Sequence, residues 1–477
     1  MINTKVSTMV SVSRSRSGSP VVTLLIALLS ACLAFQLNAS MLSPALVSIQ
    51  RELAVDAGAV AATQTAFFTA AAVFSLFLPR LADIAGRRRV LCGALLLMAA
   101  GCLLATLASN IAVLFLGRVI QGASGPVIPI ALVMLRAEVT EPKKYGTLMG
   151  VVTAVNGGIA GFDALLGGYL VTHHGFHAIF WTMAAVAIAA AVLVRFLCPE
   201  SYAEDRRRLD TAGTALLVVA VGAALVSLDE LGKLAGALWG IVLGTAVLAV
   251  AAFVTFWRVE KRVTAPLVPL AQLRERSTWA LVSTTALTLG GVFAVMNGIL
   301  PALAQDSALG FRLDAEEVSA LILTPYAVAG LLVGPLAGRL AAGFGYQRML
   351  RLGVAGAFAG MLAVAFGAQG TATVFLFFVA VWVGVTYAGV ANIMLNGLGV
   401  VLSPPDRPGS LPGLNTGAFN IGAGLSFLVV YAVQGAASST PAAGYVAAAL
   451  CSAVFLVAAF AVSFAIPRPV AAEVTAR

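Results

Sequence analysis

The sequence predicts an all-α integral membrane protein with fourteen transmembrane helices, arranged as two pseudo-symmetric six-helix bundles plus two extra helices. Three observations predict this class: the composition, the number of apolar segments and the placement of the basic residues. Of the 477 residues, 60% are apolar and only 10% are charged, and the mean hydropathy is +0.98. Soluble domains carry about 25% charged residues. So much apolar surface favours a lipid bilayer over water as the solvent.

The apolar segments give the number of spans. A hydrocarbon core of about 30 Å requires about 20 helical residues at a rise of about 1.5 Å per residue. Fourteen segments qualify: residues 21–46, 59–78, 90–108, 111–135, 146–172, 178–197, 211–228, 235–257, 279–303, 317–337, 351–368, 372–400, 414–434 and 443–466. The stretch 1–20 is interpreted as a cytoplasmic tail rather than a signal peptide, because no small-residue cleavage site follows it.

The basic residues predict the orientation. Of the 29 Lys and Arg residues, 25 fall on the side of the chain ends, three (Arg51, Lys233, Arg312) on the opposite side and one, Arg118, inside a span. Lys and Arg accumulate on the cytoplasmic side of a membrane. Both termini are therefore predicted to be cytoplasmic, in a multi-pass protein of a bacterial-type plasma (inner) membrane. This distribution accounts for the net charge of +9 without nucleic acid as a partner.

Two repeated segments predict an internal duplication. Residues 79–91 (PRLADIAGRRRVL) and 338–350 (GRLAAGFGYQRML) are identical at six of thirteen positions, and LSPAL at 42–46 matches ILPAL at 299–303 at nearly the same offset. Parallel repeats of this kind place a substrate site at the midplane between the halves. The predicted division is a tail at 1–20, a bundle at 21–198, a linker with helices 7 and 8 at 199–278, a second bundle at 279–466 and a tail at 467–477.

Four motifs carry a resemblance to a known family. The loop Pro79–Arg89 resembles the major facilitator motif G-x-L-a-D-r-x-G-r-[KR]-x, and Leu114–Gly122 (LFLGRVIQG) is similar to the helix-4 motif of that superfamily. Pro266–Leu270 and Gly175–Phe180 resemble segments of its fourteen-helix drug:proton antiporter branch. The resemblance covers nearly the whole chain. It implies the major facilitator fold and proton-coupled efflux of small amphipathic or cationic organic compounds, of the multidrug type, by a monomer.

Differences from the branch leave other functions open. Helix 1 has Leu37-Asn38-Ala39 where the branch usually has an acidic residue, and the helix-5 antiporter motif appears as Asp163–Gly168, with its glycine pair kept and its Gly-Pro lost. A proton-coupled symporter that imports a small metabolite is therefore an alternative, and a non-transporting sensor on the same scaffold is a second one. No nucleotide, haem or flavin motif is present in the sequence, so neither an enzyme nor a cofactor is predicted.

Two ionisable residues lie deep within the predicted spans. Arg118 is about 10 Å from the outer start of helix 4, and Asp163 is about 12 Å from the outer end of helix 5 at the helical rise. A charge inside the bilayer costs at least about 2.5 kcal/mol, so each is a functional candidate. Their similar depths suggest that they could pair, either as part of coupling or as a static structural ion pair. Because Arg is not expected to lose its proton, Asp163 is predicted to carry the coupled proton and Arg118 to adjust its affinity.

The loop after helix 2 is predicted to be a gate, largely from the family resemblance. Its residues Asp83, Gly86, Arg87 and Arg88 place a carboxylate next to arginines and the start of the next helix, whose amides favour an anion. Such contacts would hold one state of an alternating transporter closed. The other interpretation of the arginines is a topology anchor.

Polar uncharged residues within the spans are the candidates for a substrate cavity. They are Gln36, Asn38, Gln121, Asn156, Asn297, Tyr326, Tyr387, Asn392 and Asn396. Some of them are expected only to hydrogen-bond between helices. The three histidines (His173, His174, His177) share one outer turn. Because no acidic residue neighbours them in the sequence, no metal site is predicted there.

Overall fold

In a computed structural model, the described residues of the chain are almost entirely helical. They are residues 19–139, 141, 144–145, 148–149, 151–152, 160–202, 211–232, 238–262, 270–370, 372–403, 410–437 and 439–468. Helices of the first half are α1 (Ser19–Ser40, continued as Leu46–Glu52), α2 (Ala57–Ala85), α3 (Arg87–Thr106), α4 (Ile111–Gln121 and Val127–Glu138), α5 (Ala160–His174) and α6 (Phe176–Leu197). Two further helices, α7 (Thr211–Gly232) and α8 (Trp239–Glu260), come next.

The second half follows a short helix at Leu270–Arg274. Its helices are α9 (Arg276–Ala294, continued to Ala304), α10 (Ala315–Val318, continued as Thr324–Phe344), α11 (Tyr346–Gly367), α12 (Thr373–Val383 and Asn392–Val401), α13 (Ser410–Ala436) and α14 (Pro441–Ser463). Wider π-helical turns interrupt three of them, at Val295–Ile299, Ser319–Leu323 and Gly384–Ala391. Pro301 and Pro325 lie two residues after the ends of the first two, as expected where proline removes a helical N–H.

Among the described residues, twelve helices are long and apolar enough to cross a membrane. The chain is therefore a multi-pass membrane protein. The other two predicted segments, 146–172 and 211–228, are also helical where they are described, as α5 and α7. Only 15 residues of α5 are described, and the apolar part of α7 is the short stretch Ala212–Ala224. The number fourteen thus stays a prediction.

The helices alternate between two faces of the bundle. We call the face that holds the turns after α2, α6 and α10 the near face. The N-terminal end of α1 and the C-terminal end of α14 lie on this same face. The opposite face is called the far face. At the near face Gly86 (φ +107°) joins α2 to α3, and Gly345 (φ +88°) joins α10 to α11. These are matched positions of the repeat, and glycine adopts a positive φ at low cost. The repeated sequence thus has one local structure.

Packing contacts define an N-terminal half, α1–α6, and a C-terminal half, α9–α14. Within the halves, α3 packs on α6 and α11 on α14; between them, α2 packs on α13 and α5 on α10. The pair α7–α8 packs mostly on itself, and Leu217 and Phe256 contact α2 through Leu76 and Phe77. Residues whose side chains lie in the α2–α13 and α5–α10 contacts therefore lie between the two halves.

Candidate functional site

Arg118 is fully buried in the N-terminal half, where neutral oxygen atoms surround its guanidinium group. Nη2 donates to Gln64 Oε1 at 2.7 Å, and Nη1 donates to Gln121 Oε1 at 2.6 Å and to Asn38 Oδ1 at 3.2 Å. The Phe67 ring lies 4.1 Å from the guanidinium carbon, a cation–π contact. The arrangement binds α4 to α1 and α2 through a charge that has no carboxylate partner among the described residues.

Glycines on α3 and α4 make this cluster possible. A Cβ atom at Gly101 would lie 2.7 Å from Gly117 O and 2.8 Å from Gln121 N, so α3 and α4 cross at backbone contact. The close crossing places one face of α4, with Gly117, Arg118 and Gln121, in the interior of the half. Arg118 and Gln121 are then directed at α1 rather than at lipid.

Asp163 is also buried, but its partner is not Arg118. The Ser40 hydroxyl donates a short hydrogen bond to Asp163 Oδ2, while Oδ1 has no partner among the described residues. The direct pairing that the similar depths suggested is therefore wrong. Arg118 bonds to Asn38 and Asp163 bonds to Ser40, two residues along the same helix. Helix α1 lies between the two charges.

Two other cavity candidates lie near the polar residues Asn38 and Ser40 of α1. Gln36 Nε2 donates to Ser40 Oγ at 2.8 Å, so Gln36 joins the group around Asp163. Asn297, on the π-helical turn of α9, accepts from Ser43 Oγ at 3.2 Å and donates to Phe293 O at 3.0 Å. The Ser43–Asn297 bond crosses from one half to the other. Ser43 lies in the matched segment 42–46, and Asn297 lies two residues before its counterpart, 299–303.

The remaining candidates are dispersed. Tyr326 and Tyr387 lie where α10 crosses α12 at the close approach that Gly384 permits. Asn396 is exposed and donates to Asn392 Oδ1 at 3.2 Å. Asn156 lies outside the described residues. The structure therefore brings Gln36, Asn38, Gln121 and Asn297 toward the middle of the bundle. Of the described candidates, Tyr326, Tyr387, Asn392 and Asn396 form no common cluster with them.

Close contacts join the halves on the far side of the bundle. A Cβ atom at Gly168 would overlap Ser319 Oγ and lie 2.7 Å from Ala315 O of α10. One at Gly167 would overlap Met41 O, just after the first segment of α1. Thr324 Oγ1 donates to Gly161 O at 3.0 Å. The glycine pair kept from the antiporter motif thus lets α5 lie directly between α1 and α10. These contacts close the far side in this state.

The histidine turn also contacts both halves. His173 Nδ1 lies 3.6 Å from Glu316 Oε2 at the start of α10, and His177 Nε2 lies 3.3 Å from Ala108 O. Glu316 is distant from the histidines in sequence, so a search for acidic neighbours along the chain could not find this pair. Both partners are about half exposed, so the pair contributes little to stability by itself.

The predicted gating loop forms an ion-pair cluster at the near face. Asp83 Oδ1 accepts from Arg87 Nη2 at 2.8 Å and from Arg87 Nε at 3.1 Å, across the turn at Gly86. Glu200, which follows α6, accepts from Arg88 N at 3.0 Å and lies 3.5 Å and 3.6 Å from the Nε atoms of Arg88 and Arg89. Sequence reasoning missed Glu200. Its signal was an acid three residues after the end of an apolar span.

Comparison of the chain with known protein families and structures identifies its family. The model for the Major Facilitator Superfamily matches residues 28–427. The chain belongs to this superfamily. It is a transporter and not an enzyme. Of the solved structures, the human organic anion transporter MFSD10 (TETRAN) aligns with 93% of the chain and 98% of its own length, at a TM-score of 0.61 and 16% identity. That likeness confirms the major facilitator fold.

Two relatives are similar over most of the chain. The uridine/deoxyuridine transporter of Lactococcus lactis subsp. cremoris is 49% identical over 94% of this chain and 95% of its own length. The multidrug resistance protein Stp of Mycobacterium tuberculosis is 29% identical over 84% of this chain and 73% of its own length. The relatives of this superfamily member thus include both a nucleoside transporter and a drug-resistance protein.

Proposed function

We propose that this transporter imports pyrimidine nucleosides, with uridine and deoxyuridine as substrates, in symport with protons. The observation that carries the proposal is the 49% identity with a uridine/deoxyuridine transporter over nearly both full lengths. Drug-resistance relatives stand at 29% identity or below over less of the chain. This favours the import alternative over the drug efflux that the motif resemblance implies.

The chemistry of the C-terminal half supports a neutral polar substrate. Among its described residues, every buried polar side chain is uncharged, including Asn297, Asn415 and Asn420. Amides and hydroxyls hydrogen-bond sugar hydroxyls and base carbonyls. Acidic groups in the cavity of an exporter would bind organic cations by charge. Among the described residues of this half, no acidic side chain is buried. Neutral amides facing a neutral polar nucleoside fit the proposal better.

Asp163 is the proposed proton carrier. Among the described residues of the two halves, Asp163 and Arg118 are the only buried charged side chains. Arginine keeps its proton, so only the carboxyl group can take up and release one. Its bond to Ser40 joins it to α1, and its position beside the Gly161–Thr324 contact lets a change of protonation act where the halves meet.

The proposed topology is fourteen spans with both termini cytoplasmic in the plasma membrane, one monomer forming the whole path. The N-terminal bundle (21–198) and C-terminal bundle (279–466) carry the function, and α7 and α8 are an insertion at their periphery. Reporter fusions after Arg208 and after Arg276 should both report cytoplasm. An external signal from either fusion would contradict this topology.

Uptake into proteoliposomes tests the function. Radiolabelled uridine should accumulate when the outside is more acidic than the inside, and excess deoxyuridine should compete. Without a gradient, uridine should equilibrate and exchange by counterflow. The matched control imposes the opposite gradient with labelled cationic drugs. Drug movement without uridine counterflow would replace import by efflux, and uridine accumulation that ignores the pH gradient would remove the proton from the proposal.

A further inference from the structure

Asn420 on α13 is a buried amide without a hydrogen-bond partner. Its side chain is 0% exposed, and neither Oδ1 nor Nδ2 has a partner among the described residues. Leaving both ends of a buried carboxamide unpaired is unfavourable, so such a group calls for a ligand or water to pair with it. Asn415 on the same helix is different. It accepts from Thr285 Oγ1 at 2.5 Å and donates to Leu395 O at 3.4 Å.

Asn420 lies at middle depth, on the surface where the halves meet. Ten residues separate it from the near-face start of α13 at Ser410, or about 15 Å of helix, which is half of a core about 30 Å thick. One turn further on, Gly424 O accepts from Thr65 Oγ1 of α2 at 3.2 Å. Residues four apart share a helix face, so Asn420 also faces α2. Transport substrates of duplicated folds bind at this depth between the halves.

Phenylalanine rings from both halves cluster near this face of α13. Phe68 of α2 and Phe427 of α13 are parallel within 10°, with centroids 6.4 Å apart. Phe293 of α9 meets Phe68 edge-on at 5.0 Å and also contacts Phe419, the residue before Asn420, at 5.7 Å. Aromatic side chains are the groups on which proteins stack single bases, because every base has an apolar face. An unpaired amide beside aromatic rings is thus suited to a planar heterocycle.

We propose that Asn420 binds the edge of the pyrimidine base: its amide oxygen accepts from the base N3–H, and its amide nitrogen donates to an adjacent base carbonyl. This inference rests on the proposed function, uridine transport. The uracil edge presents a carbonyl, the N3–H and a second carbonyl, and a carboxamide matches two neighbouring groups of that edge in a bidentate pair. The phenylalanines pack on the base faces when the contact between α2 and α13 opens.

The chemistry predicts which bases are accepted. Thymine keeps the same edge, and cytosine, whose N3 accepts while its amino group donates, pairs with the amide turned over. A methyl group on N3 removes the donor and blocks the amide in both orientations. The transporter should therefore discriminate uridine from 3-methyluridine, which has the same ribose and the same carbonyls. Wild-type protein should take up uridine at least about tenfold better at low concentration, as a lost bidentate pair implies.

The variant Asn420→Leu tests whether this residue is responsible. Leucine has a similar volume without the polar atoms, so the preference for uridine over 3-methyluridine should fall to about twofold or less, mainly through a loss of uridine uptake. Because the wild-type amide is unpaired, the ligand-free variant should melt at the same temperature as wild type or higher. It should lose the rise in melting temperature that uridine gives to wild type. The comparison variant Asn415→Leu, which breaks two internal bonds, should melt lower and keep the preference.

The outcomes separate this inference from the proposed function. If wild-type protein neither transports uridine nor is stabilised by it, the proposed function fails. If it transports uridine and 3-methyluridine equally well, the assignment to Asn420 is overturned without any variant. If Asn420→Leu keeps the full preference, or melts well below wild type without ligand, Asn420 is a packing residue and the base binds elsewhere.

Discussion

The two halves share one helix order but differ in the charge they bury. Among the described residues, the N-terminal half buries a guanidinium and a carboxylate, Arg118 and Asp163, whereas the C-terminal half buries only uncharged polar groups. Buried charges respond to protons and to each other, while amides and hydroxyls respond to hydrogen-bonding partners. We propose that this difference reflects a division of work: coupling and gating in the N-terminal half, and recognition of a neutral substrate in the C-terminal half.

The near-face turns repeat the same contrast. In the N-terminal half, Asp83 and Glu200 hold Arg87 and Arg88 with full charges. At the matched turn of the C-terminal half, Gln347 Nε2 donates to Pro467 O at 2.6 Å and Arg351 Nη2 to Ser463 O at 3.4 Å. The first turn is held by ion pairs together with a bond from Arg88 Nη1 to Cys198 O at 3.3 Å, and the second is held by bonds to backbone carbonyls. One duplicated segment has therefore kept its shape and changed its chemistry.

The largest expected effect is that of Asp163→Asn. The amide keeps the size and can still bond to Ser40, but it cannot exchange a proton. Uridine accumulation driven by an acidic exterior should be abolished, whereas counterflow exchange should persist. The control Ser40→Ala removes the partner and keeps the acid, so accumulation should survive with an altered pH dependence. Gradient-driven accumulation by Asp163→Asn would place the proton site elsewhere and end the contrast between the halves.

Arg118→Leu should mainly reduce stability. It leaves the oxygens of Gln64, Gln121 and Asn38 without their donor in a buried site, a loss of about 2–4 kcal/mol in the free energy of unfolding, because bonds to charged groups are strong. Thermal melting in detergent measures it. Because the guanidinium contacts Asn38 rather than Asp163, the pH dependence of the remaining transport should match wild type. A shifted pH profile would mean that the two charges communicate through α1.

Asp83→Asn and Glu200→Gln should each slow transport by about fivefold and leave uridine binding unchanged, since a partly exposed ion pair contributes about 1 kcal/mol or less. The double variant should be less than additive because both acids hold the same short arginine segment. Transport rates and equilibrium binding measured on the same preparation separate the two effects. Unchanged transport at normal expression would leave the arginines as topology anchors.

The sequence predicted the helices and the superfamily more readily than the contacts between distant residues. Apolar length fixes where helices lie, and the repeat predicted that Gly86 and Gly345 have equivalent roles. The partners of Asp163 and His173 could not be predicted, because Ser40 and Glu316 lie far away in the sequence. The depth of a residue in the membrane also does not say which neighbouring helix its side chain faces. Asn420 was missed for a related reason: what distinguishes it from other intramembrane amides is its lack of a partner.

The smallest expected effect is that of Gln347→Ala at the C-terminal turn. The lost bonds end on the carbonyls of Ile466 and Pro467, and the same segment keeps the bonds from Arg351 to Ser463 and from Arg276 to Ala465 O at 2.9 Å. Neutral bonds with such redundancy contribute about 1 kcal/mol or less each. The transport rate of Gln347→Ala should stay within about twofold of the wild-type rate when it is assayed beside Asp83→Asn. A tenfold change in rate would correspond to about 1.4 kcal/mol. If the two variants slow transport equally, both turns are gates, and only the buried charges of Arg118 and Asp163 still distinguish the halves.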